Sequence, residues 1–395
     1  MNHPDPVVIL SHARTPMGGF QGALAPLAAT ELGARAIRAA LERSGAAPER
    51  VDQVFMGCVL PAGLGQAPAR QAALGAGLPR HVAATTVNKM CGSGMQAAIL
   101  AHDALLAGSA GLVVAGGMES MTNAPYLLPK HRSGGRIGHG VVQDSIFLDG
   151  LEDAYEPGRL MGAFAEDIAE AWGLTRAAMD AYALESLDRA RRAAEGDGFR
   201  REIVPVEVPE RGGARVVARD EQPFRADPAK IPTLKPAFRE GGRITAANSS
   251  SISDGAAALV LARRSVAERL GLRPLARVVA HAVHAQAPAD FATAPVPAMR
   301  AALERAGWRL QDIGLFEVNE AFAAVAMIAM RELGIPRDIL NVHGGACALG
   351  HPIGASGARI LSTLLGAMEA GDVRRGLASI CIGGGEATAL AVERC

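Results

Sequence analysis

The segment CGSGMQAAILAHDALLAG at residues 91–108 has a second copy in the chain, GASGARILSTLLGAMEAG at residues 354–371. Two more pairs of segments repeat in the same order: RAALERSG (38–45) with RAALERAG (300–307), and GGMES (116–120) with GGGEA (383–387). The three separations are 263, 262 and 267 residues. Repetition at a nearly constant offset indicates two related halves. A site between such halves would take residues from both.

Short apolar runs alternate with segments of helical periodicity on both sides of the first copy. The runs at 7–10, 51–59, 82–87 and 112–117 are typical of strands, and the segments 29–44, 68–76 and 92–107 are typical of helices. This alternation predicts an α/β fold built on a parallel sheet that is covered on both faces.

The middle of the chain breaks the repeat. Residues 121–250 are richer in proline, glycine and charge, with one helix expected at 162–194 and short strands at 203–208 and 215–218. We therefore predict an inserted domain at 121–250. The first half is expected to comprise 1–120 and 251–273, and the second half 274–395.

The composition excludes several classes of partner. There are 40 basic and 40 acidic residues, and aromatic residues make up 4% of the chain. A net charge of zero gives no electrostatic footprint for nucleic acid or an acidic membrane, and few aromatics are available to stack bases. The N-terminal sequence lacks the pattern of a signal peptide, and no apolar run is long enough to span a membrane.

The five cysteines, at positions 58, 91, 347, 381 and 395, are too few for a disulfide framework and show no C-x-x-C spacing. We expect a reducing, cytoplasmic location and no metal site.

Cys91 is the first candidate for chemistry, because it follows a predicted strand and opens a Gly/Ser/Ala-rich helix. Free N–H groups at a helix N-terminus stabilise a thiolate. The alternative is a structural cysteine that packs as a small apolar residue. His351 precedes the duplicated helix at the equivalent place, so the repeat brings it opposite Cys91, where it would lower the thiol pKa and act as its base. His343 is the local competitor.

Two further segments carry candidates. Cys381 lies at the end of a predicted strand and is followed by Gly383-Gly384-Gly385. The thiol suits proton transfer and the bare backbone N–H groups suit an oxyanion hole, although a buried cysteine is an equal alternative. The glycines do not fit a G-x-G-x-x-G dinucleotide loop. Asn319 stands where a strand gives way to a helix, which also fits a helix N-cap, with Glu320 in the first turn.

Taken together, the motifs resemble the thiolase family of acyl-CoA C-acyltransferases over essentially the whole chain. The matching segments are ARTPMGGFQGAL (13–24), NKMCGSGMQAA (88–98), GGMESMTNAPYLLP (116–129), ITAANSSSISDGAAA (244–258), VNEAFA (318–323), GGACALGHPIGASGAR (344–359) and CIGGG (381–385). The resemblance implies two α/β halves stacked in five layers (αβαβα) with a loop domain inserted in the first.

The resemblance also implies roles. Cys91 looks like the nucleophile that carries the acyl group, and His351 like its activator, which with a water held by Asn319 stabilises an enolate. Cys381 looks like the acid/base for the α-proton of acetyl-CoA. The N–H groups of Cys91 and Gly383 look like a second oxyanion hole.

Coenzyme A enters as a substrate, and no tightly bound cofactor is expected. By resemblance Ser250 lies near the pantetheine, and Arg225 and Lys235 near the phosphates, although both cations also fit a solvated loop. Leu160, Met161 and Phe291 would line an apolar acyl pocket. Many short-chain thiolases have His-Met-Gly where this chain has Leu-Met-Gly (160–162), so longer 3-ketoacyl-CoA substrates stay open.

We predict an acetyl-CoA C-acetyltransferase working by a ping-pong mechanism. The alternatives are a degradative thiolase of broader chain length, another condensing enzyme on the same fold, a non-catalytic acyl-CoA binder and a Cys/His hydrolase. Cys381 and VNEAF disfavour the other condensing enzymes. Thiolases are dimers or tetramers, and we predict a homotetramer. The apolar stretch APYLLP (124–129) suits tetramer contacts, although packing on its own core is an equal alternative.

Overall fold

The computed structural model describes residues 4–395 of the chain. Its strands are β1 (Val7–Arg14), β2 (Gly18–Gly19), β3 (Gln53–Gly57), β4 (Ala83–Val87), β5 (Leu112–Ser120), β6 (Tyr126–Leu127), β7 (Gln143–Asp144), β8 (Val206–Glu210), β9 (Gly213–Val217), β10 (Ser253–Arg263), β11 (Ala276–Ala285), β12 (Leu315–Val318), β13 (Arg375–Ile382) and β14 (Glu386–Arg394). Its helices are α1 (Ala29–Ser44), α2 (Pro68–Gly75), α3 (Ser93–Leu106), α4 (Met161–Ala171), α5 (Arg176–Glu195), α6 (Gln222–Arg225), α7 (Arg264–Arg269), α8 (Pro295–Ala306), α9 (Ala323–Leu333), α10 (Ala346–Leu349) and α11 (Ile353–Ala370).

The repeated segments 38–45 and 300–307 form equivalent helix C-termini in the structure. RAALERSG closes α1 and RAALERAG closes α8, and the final glycine of each copy is the C-cap. Gly45 has φ 71° and Gly307 has φ 66°. This left-handed conformation stops a helix and favours glycine because a Cβ would clash there.

The two halves of the sheet have the same arrangement of strands, counted outward from its centre. Its strand order is β12-β13-β14-β11-β1-β10-β5-β3-β4. Reading outward from the centre, β1, β10, β5 and β3 correspond to β11, β14, β13 and β12. The directions match too: the first two pairs on each side are antiparallel and the third is parallel. Among the described residues, the sheet itself connects the two halves through two residue pairs, Val8 with Arg277 and Ile9 with Ala276.

The prediction of a parallel sheet was therefore wrong for the middle of each half. β13 and β14 follow each other through the three glycines 383–385, so they form an antiparallel hairpin. β10 returns antiparallel between β1 and β5 after the long excursion of residues 121–252. Only the outer strands of each half keep the parallel βαβ arrangement that the alternating pattern predicts.

The helices complete five layers. α1 and α2 cover the outer face of the first half, and α8 and α9 cover the outer face of the second. Between the halves lie α3 and α11, which pack against each other and against strands of both. α11 is buried from Ile353 to Met368. The predicted two α/β halves in five layers are thus confirmed.

The chain between β5 and β10 contains more regular structure than its pattern indicated. The single helix expected at 162–194 is two helices, α4 and α5. Gly173 adopts φ 64° and ends α4, and the Thr175 hydroxyl then caps α5 by accepting from the N–H of Ala178 at 3.2 Å. The expected strands near 203–208 and 215–218 are the hairpin β8–β9. Within residues 4–395 no helix is both long and apolar enough to cross a membrane.

Candidate active site

A cavity of about 340 Å³ opens where the N-terminal ends of α3 and α11 meet the chain between β5 and β10. It brings together most of the residues singled out in the sequence: Cys91, His351, Cys381, Gly383, Ser250, Leu160, Met161 and Phe291. Residues from both halves line it, as the repeat predicted.

Backbone contact between the two central helices sets the position of the reactive groups. A Cβ on Gly94 would lie 2.7 Å from the nitrogen of Ala358, and one on Gly357 would overlap the nitrogen of Met95. Glycine at both positions lets the helices approach more closely than any side chain permits. Cys91, just before α3, and His351, just before α11, are thereby held in the same cavity.

The Cys91 thiol is not the low-pKa thiolate that its place before a helix suggested. Burial raises its pKa to about 11, although hydrogen bonding from the backbone N–H groups of Gly383 and of Cys91 itself acts in the opposite direction. Those two N–H groups are the pair predicted to form an oxyanion hole. Cys91 is therefore a neutral thiol near neutral pH and needs a base to become a nucleophile.

His351 is placed to be that base. Burial, with a smaller contribution from Arg359, lowers its pKa to about 3, so the imidazole is neutral. Its Nδ1 lies 2.5 Å from Oγ of Ser356, whose hydroxyl donates to the carbonyl oxygen of Pro352 at 3.0 Å. Since the Ser356 proton is used there, its oxygen accepts from Nδ1–H, and Nε2 carries the lone pair. Nε2 is buried and makes no hydrogen bond to any residue that the structure describes.

Cys381 ends β13 as expected and lines the same cavity. Its pKa is raised well above the usual value by burial first and then by the charge of a Cys91 thiolate. Cys91 and Cys381 both line the cavity, so the charge on one thiolate opposes ionisation of the other. Gly384 and Gly385 adopt φ 93° and 87° to turn the chain, which leaves the N–H of Gly383 facing Cys91.

Asn319 lies behind the cavity rather than on its lining. It is fully buried, its Oδ1 is 3.4 Å from Nη2 of Arg359, and its Nδ2 has no acceptor among the described residues. It is not the N-cap that its place in the sequence allowed, because α9 begins only at Ala323.

Glu320 is not in a helical turn either. Its carboxylate accepts hydrogen bonds from Tyr182, Ser186, Asn341 and the N–H of Cys347, at 2.7–3.2 Å. It thus ties α5 to the loop that leads to His351, and it fixes the backbone beside Asn319. Apart from the VNEAF motif, no pattern in the chain predicts this role for Glu320.

A second buried carboxylate, Glu119, also escaped sequence reasoning. It accepts the N–H groups of Val59, Leu60 and Gly354 at 2.9–3.2 Å and so links the first half to the start of α11. Burial raises the pKa of Glu119 to about 7. Ser356 was missed as well, although the fixed i to i+5 spacing from His351 was there to be noticed.

The remaining wall of the cavity is apolar. Phe291, Phe322 and Phe238 form a chain of edge-to-face contacts, with ring centroids 6.1 and 6.2 Å apart. Leu160 and Met161 begin α4 beside them, and Phe147 and Leu151 come from a single π-helical turn. Ser250 also lines the cavity, and its hydroxyl donates to the carbonyl oxygen of Ala321, next to Phe322, at 3.0 Å.

Arg225 and Lys235 do not line the cavity. Arg225 is 58% exposed and pairs with Glu221 at 3.0 Å. Lys235 is exposed two residues before Ala237, which does line the cavity.

Comparison with known proteins agrees with this geometry. Residues 7–265 match the family model described as "Thiolase, N-terminal domain", and residues 272–394 match "Thiolase, C-terminal domain". The chain is 50% identical over 390 residues to an acetyl-CoA acetyltransferase of Cupriavidus necator, covering 98% of this chain and 99% of that one. It is 50% identical over 389 residues to the acetyl-CoA acetyltransferase of Escherichia coli, covering 98% of each.

Solved structures give the same result. The acetyl-CoA acetyltransferase of Bacillus anthracis superposes with a TM-score of 0.96 at 40% identity and full coverage of both chains. A thiolase of Ascaris suum in complex with coenzyme A superposes with a TM-score of 0.93 at 40% identity, covering 99% of this chain and 100% of that one.

Proposed function

Because this chain belongs to the thiolase family, we propose that it is an acetyl-CoA C-acetyltransferase whose acyl group is carried on Cys91. The observation that carries the proposal is the meeting of Cys91, His351, Cys381 and the N–H of Gly383 at one cavity. The names of the relatives, at 50% identity over nearly the whole chain, support acetyl-CoA as the substrate.

The first half-reaction in the thiolytic direction uses the neutral thiol–imidazole pair. Nε2 of His351 takes the Sγ proton as Cys91 attacks the keto carbon of acetoacetyl-CoA. The N–H groups of Cys91 and Gly383 stabilise the resulting oxyanion. The carbon–carbon bond then breaks, and its electron pair stays on the acetyl-CoA fragment as an enolate.

Two sets of groups then act on the enolate, one at its oxygen and one at its carbon. Protonated His351, with a water held by Nδ2 of Asn319, donates to its oxygen, and Cys381 gives its proton to the carbon. A histidine whose pKa is lowered to about 3 holds its proton only next to an anion. That anion is first the enolate and then, once Cys381 has given up its proton, the Cys381 thiolate. Acetyl-CoA leaves.

The second half-reaction restores the enzyme. Free coenzyme A gives its thiol proton to Cys381 and attacks the thioester carbon on Cys91. Cys91 leaves as a thiolate and recovers its proton from His351. All three groups return to their starting protonation states, and the reverse sequence condenses two acetyl-CoA molecules.

Two single variants test this division of labour. Cys91→Ala is expected to form no acyl-enzyme from acetyl-CoA in intact-mass spectra. Cys381→Ala is expected to form it but to lose condensation and thiolysis by about a hundred- to ten-thousandfold. The exposed Cys395→Ser serves as the control and should behave as wild type. CoA-dependent cleavage of acetoacetyl-CoA by Cys91→Ala overturns the proposal.

We propose short acyl chains as the substrates, because the connected rings of Phe291, Phe322 and Phe238 close the apolar wall. Ser250 is proposed to contact pantetheine, with Arg225 and Lys235 near the phosphates. Charge reversal at Arg225 or Lys235 should raise the KM for CoA and leave acyl transfer from a short pantetheine thioester unchanged.

We also propose a homotetramer in the cytoplasm, with residues 121–250 forming an inserted CoA-binding and oligomerisation domain between 1–120 and 251–273. Large apolar side chains are exposed there: Tyr126, Leu128, Ile137 and Val141 are between 56% and 106% exposed. Burial against a neighbouring subunit would account for them. Sedimentation equilibrium tests the assembly, and a monomer overturns it.

A further inference from the structure

Three ligand-type side chains converge at the outer end of the helix that begins after Cys91. His102 and Asp103 lie near the C-terminus of α3, and His281 lies on β11. One atom from each side chain falls within 4.8 Å of the other two. Among residues 4–395 this is the one such group of histidine, cysteine, aspartate and glutamate. It is separate from the catalytic cavity, so what it does is independent of the proposed function.

Both histidines contact the same oxygen atom of Asp103. Oδ1 of Asp103 is 2.9 Å from Nδ1 of His102 and 3.0 Å from Nε2 of His281. Adjacent residues on a helix do not normally face each other. Here His102 and Asp103 both turn toward the same histidine of the other half. The two imidazole rings stand edge to face, with centroids 5.0 Å apart.

This arrangement has the donor set of a transition-metal site. Two imidazoles and one carboxylate, without a thiolate, suit zinc, nickel and copper rather than magnesium or calcium. Tetrahedral zinc with legs of about 2.0–2.2 Å holds its ligand atoms roughly 3.3 Å apart. Asp103 Oδ1 lies where an ion bound to both ring nitrogens would sit, so the carboxylate must swing aside by about an ångström, and the ligand atoms, which lie within 4.8 Å of one another, must close to that spacing. The Asp103 side chain is 54% exposed, which leaves room for that movement.

Ion binding needs a lone pair on each ring nitrogen that now faces Asp103. A neutral imidazole can move its proton to the other ring nitrogen, which turns an N–H donor into a lone pair. When both histidines do so, their two lone pairs and the Asp103 carboxylate face one point. The side chains of His102 and His281 are 12% and 20% exposed, so an ion reaches the group from solvent while the imidazoles stay packed.

We propose that His102, Asp103 and His281 bind one divalent ion of the zinc class. The ion joins α3 of the first half to β11 of the second, at a place where the sheet itself connects the halves by only two residue pairs. Its role is structural. Cysteine spacing does not predict this site, because its ligands are two histidines and an aspartate, and Asp103 and His281 are 178 residues apart.

The test measures zinc bound by the full-length protein, using equilibrium dialysis with elemental analysis. Wild type is expected to bind one ion more per chain than His281→Gln or Asp103→Asn, with an affinity at that site weakened by roughly tenfold or more in the variants. Magnesium should not compete. His284→Gln is the matched control, since His284 lies three residues along the same strand and contacts Gln286 instead. All variants keep the five thiols, so zinc bound at cysteine cancels in the comparison.

Two results overturn the proposal. One is equal zinc binding by wild type and by both ligand variants. The other comes from crystals of the wild-type protein soaked with zinc: anomalous scattering should place an ion between these three side chains, and an ion found only at cysteine contradicts the site. The diffraction result does not depend on how well any variant folds.

Discussion

The imidazole Nδ1 of His351 lies 2.5 Å from the hydroxyl oxygen of Ser356, one turn along the chain at the start of α11. Because that hydroxyl already donates to the carbonyl of Pro352, it fixes which nitrogen of His351 carries the proton. A residue of α11, the helix that follows His351, thus sets the tautomer of the proposed base in the cavity that Cys91 lines.

Ser356→Ala should lower acyl-enzyme formation by about ten- to a hundredfold, since Nδ1–H loses its acceptor and the lone pair is no longer held at Nε2. Stopped-flow measurement of acetyl transfer checks this. Ser362→Ala is the matched control, because Ser362 is a buried serine of the same helix whose hydroxyl has no hydrogen-bond partner within residues 4–395. Equal loss in both variants would point to a packing effect instead.

The rate of acyl-enzyme formation should be nearly independent of pH across neutrality. The pKa of His351 is lowered to about 3 and that of Cys91 is raised to about 11, so neither group titrates between those values. Pre-steady-state rates from pH 6 to pH 9 measure this. Alkylation of Cys91 by iodoacetamide should be slow at neutral pH and accelerate only at alkaline pH. A rate that rises with an apparent pKa near that of free histidine contradicts the neutral pair.

Phe291→Ala should shift the enzyme toward longer acyl chains. Removing the ring opens the apolar wall next to Phe322, and kcat/KM for a six-carbon 3-ketoacyl-CoA should rise relative to acetoacetyl-CoA by roughly tenfold, the effect of one or two added methylenes. The same change costs about 3–5 kcal/mol of unfolding free energy because Phe291 is buried. Phe291→Leu should show a smaller version of both effects, and an unchanged chain-length profile argues that the acyl group binds elsewhere.

Gly357→Ala should damage stability and catalysis together. The new methyl overlaps the backbone of Met95, so α3 and α11 must separate, at a cost of about 1–3 kcal/mol. Gly366→Ala on the same helix is the control, since its Cβ would meet its nearest neighbour at an ordinary 3.8 Å. Urea unfolding and acetyl transfer are measured for both. The prediction fails if the two variants behave alike.

His12 should make stability depend on acid pH. Burial, reinforced by Arg43 and Arg14, lowers its pKa from 6.5 to about 3. Between those values the unfolded chain binds a proton that the folded chain does not. The stabilisation is therefore complete above pH 6.5 and is lost progressively as the pH falls toward 3.

The slope of unfolding free energy against pH checks this. His12→Asn should reduce the slope between pH 4 and pH 6 by about one proton, or about 1.4 kcal/mol per pH unit. Slopes that agree within error in wild type and variant would show that His12 is protonated in the folded state.

Much of this site could be predicted because it lies on the repeated part of the chain. Equivalent positions before α3 and α11 place Cys91 and His351 opposite one another, and the strand-end rule finds Cys381. The helix at 29–44 was found in full as α1. Periodicity carries no information on strand direction, so the antiparallel β10 and β14 were missed.

Other failures arose where contacts between distant residues decide the structure. Asn319 and Glu320 follow a strand as an N-cap and first-turn acid would, yet partners on α5, α10 and α11 hold them in an extended segment instead. The pKa of Cys91 was misjudged for the same reason, since burial by the other half outweighs the helix N-terminus.

The backbone contact between α3 and α11 affects how substrate specificity can change in enzymes of this fold. The approach of α3 and α11, which places the proposed nucleophile Cys91 and the proposed base His351 in one cavity, rests on backbone contact at Gly94 and Gly357 rather than on side chains of the proposed acyl pocket. Much of that pocket comes from the chain between β5 and β10, outside the repeated halves. Substitutions at residues such as Leu160 and Met161 can therefore change substrate specificity without moving the reactive residues. Mutational scanning of the pocket should give many variants with altered specificity and few inactive variants.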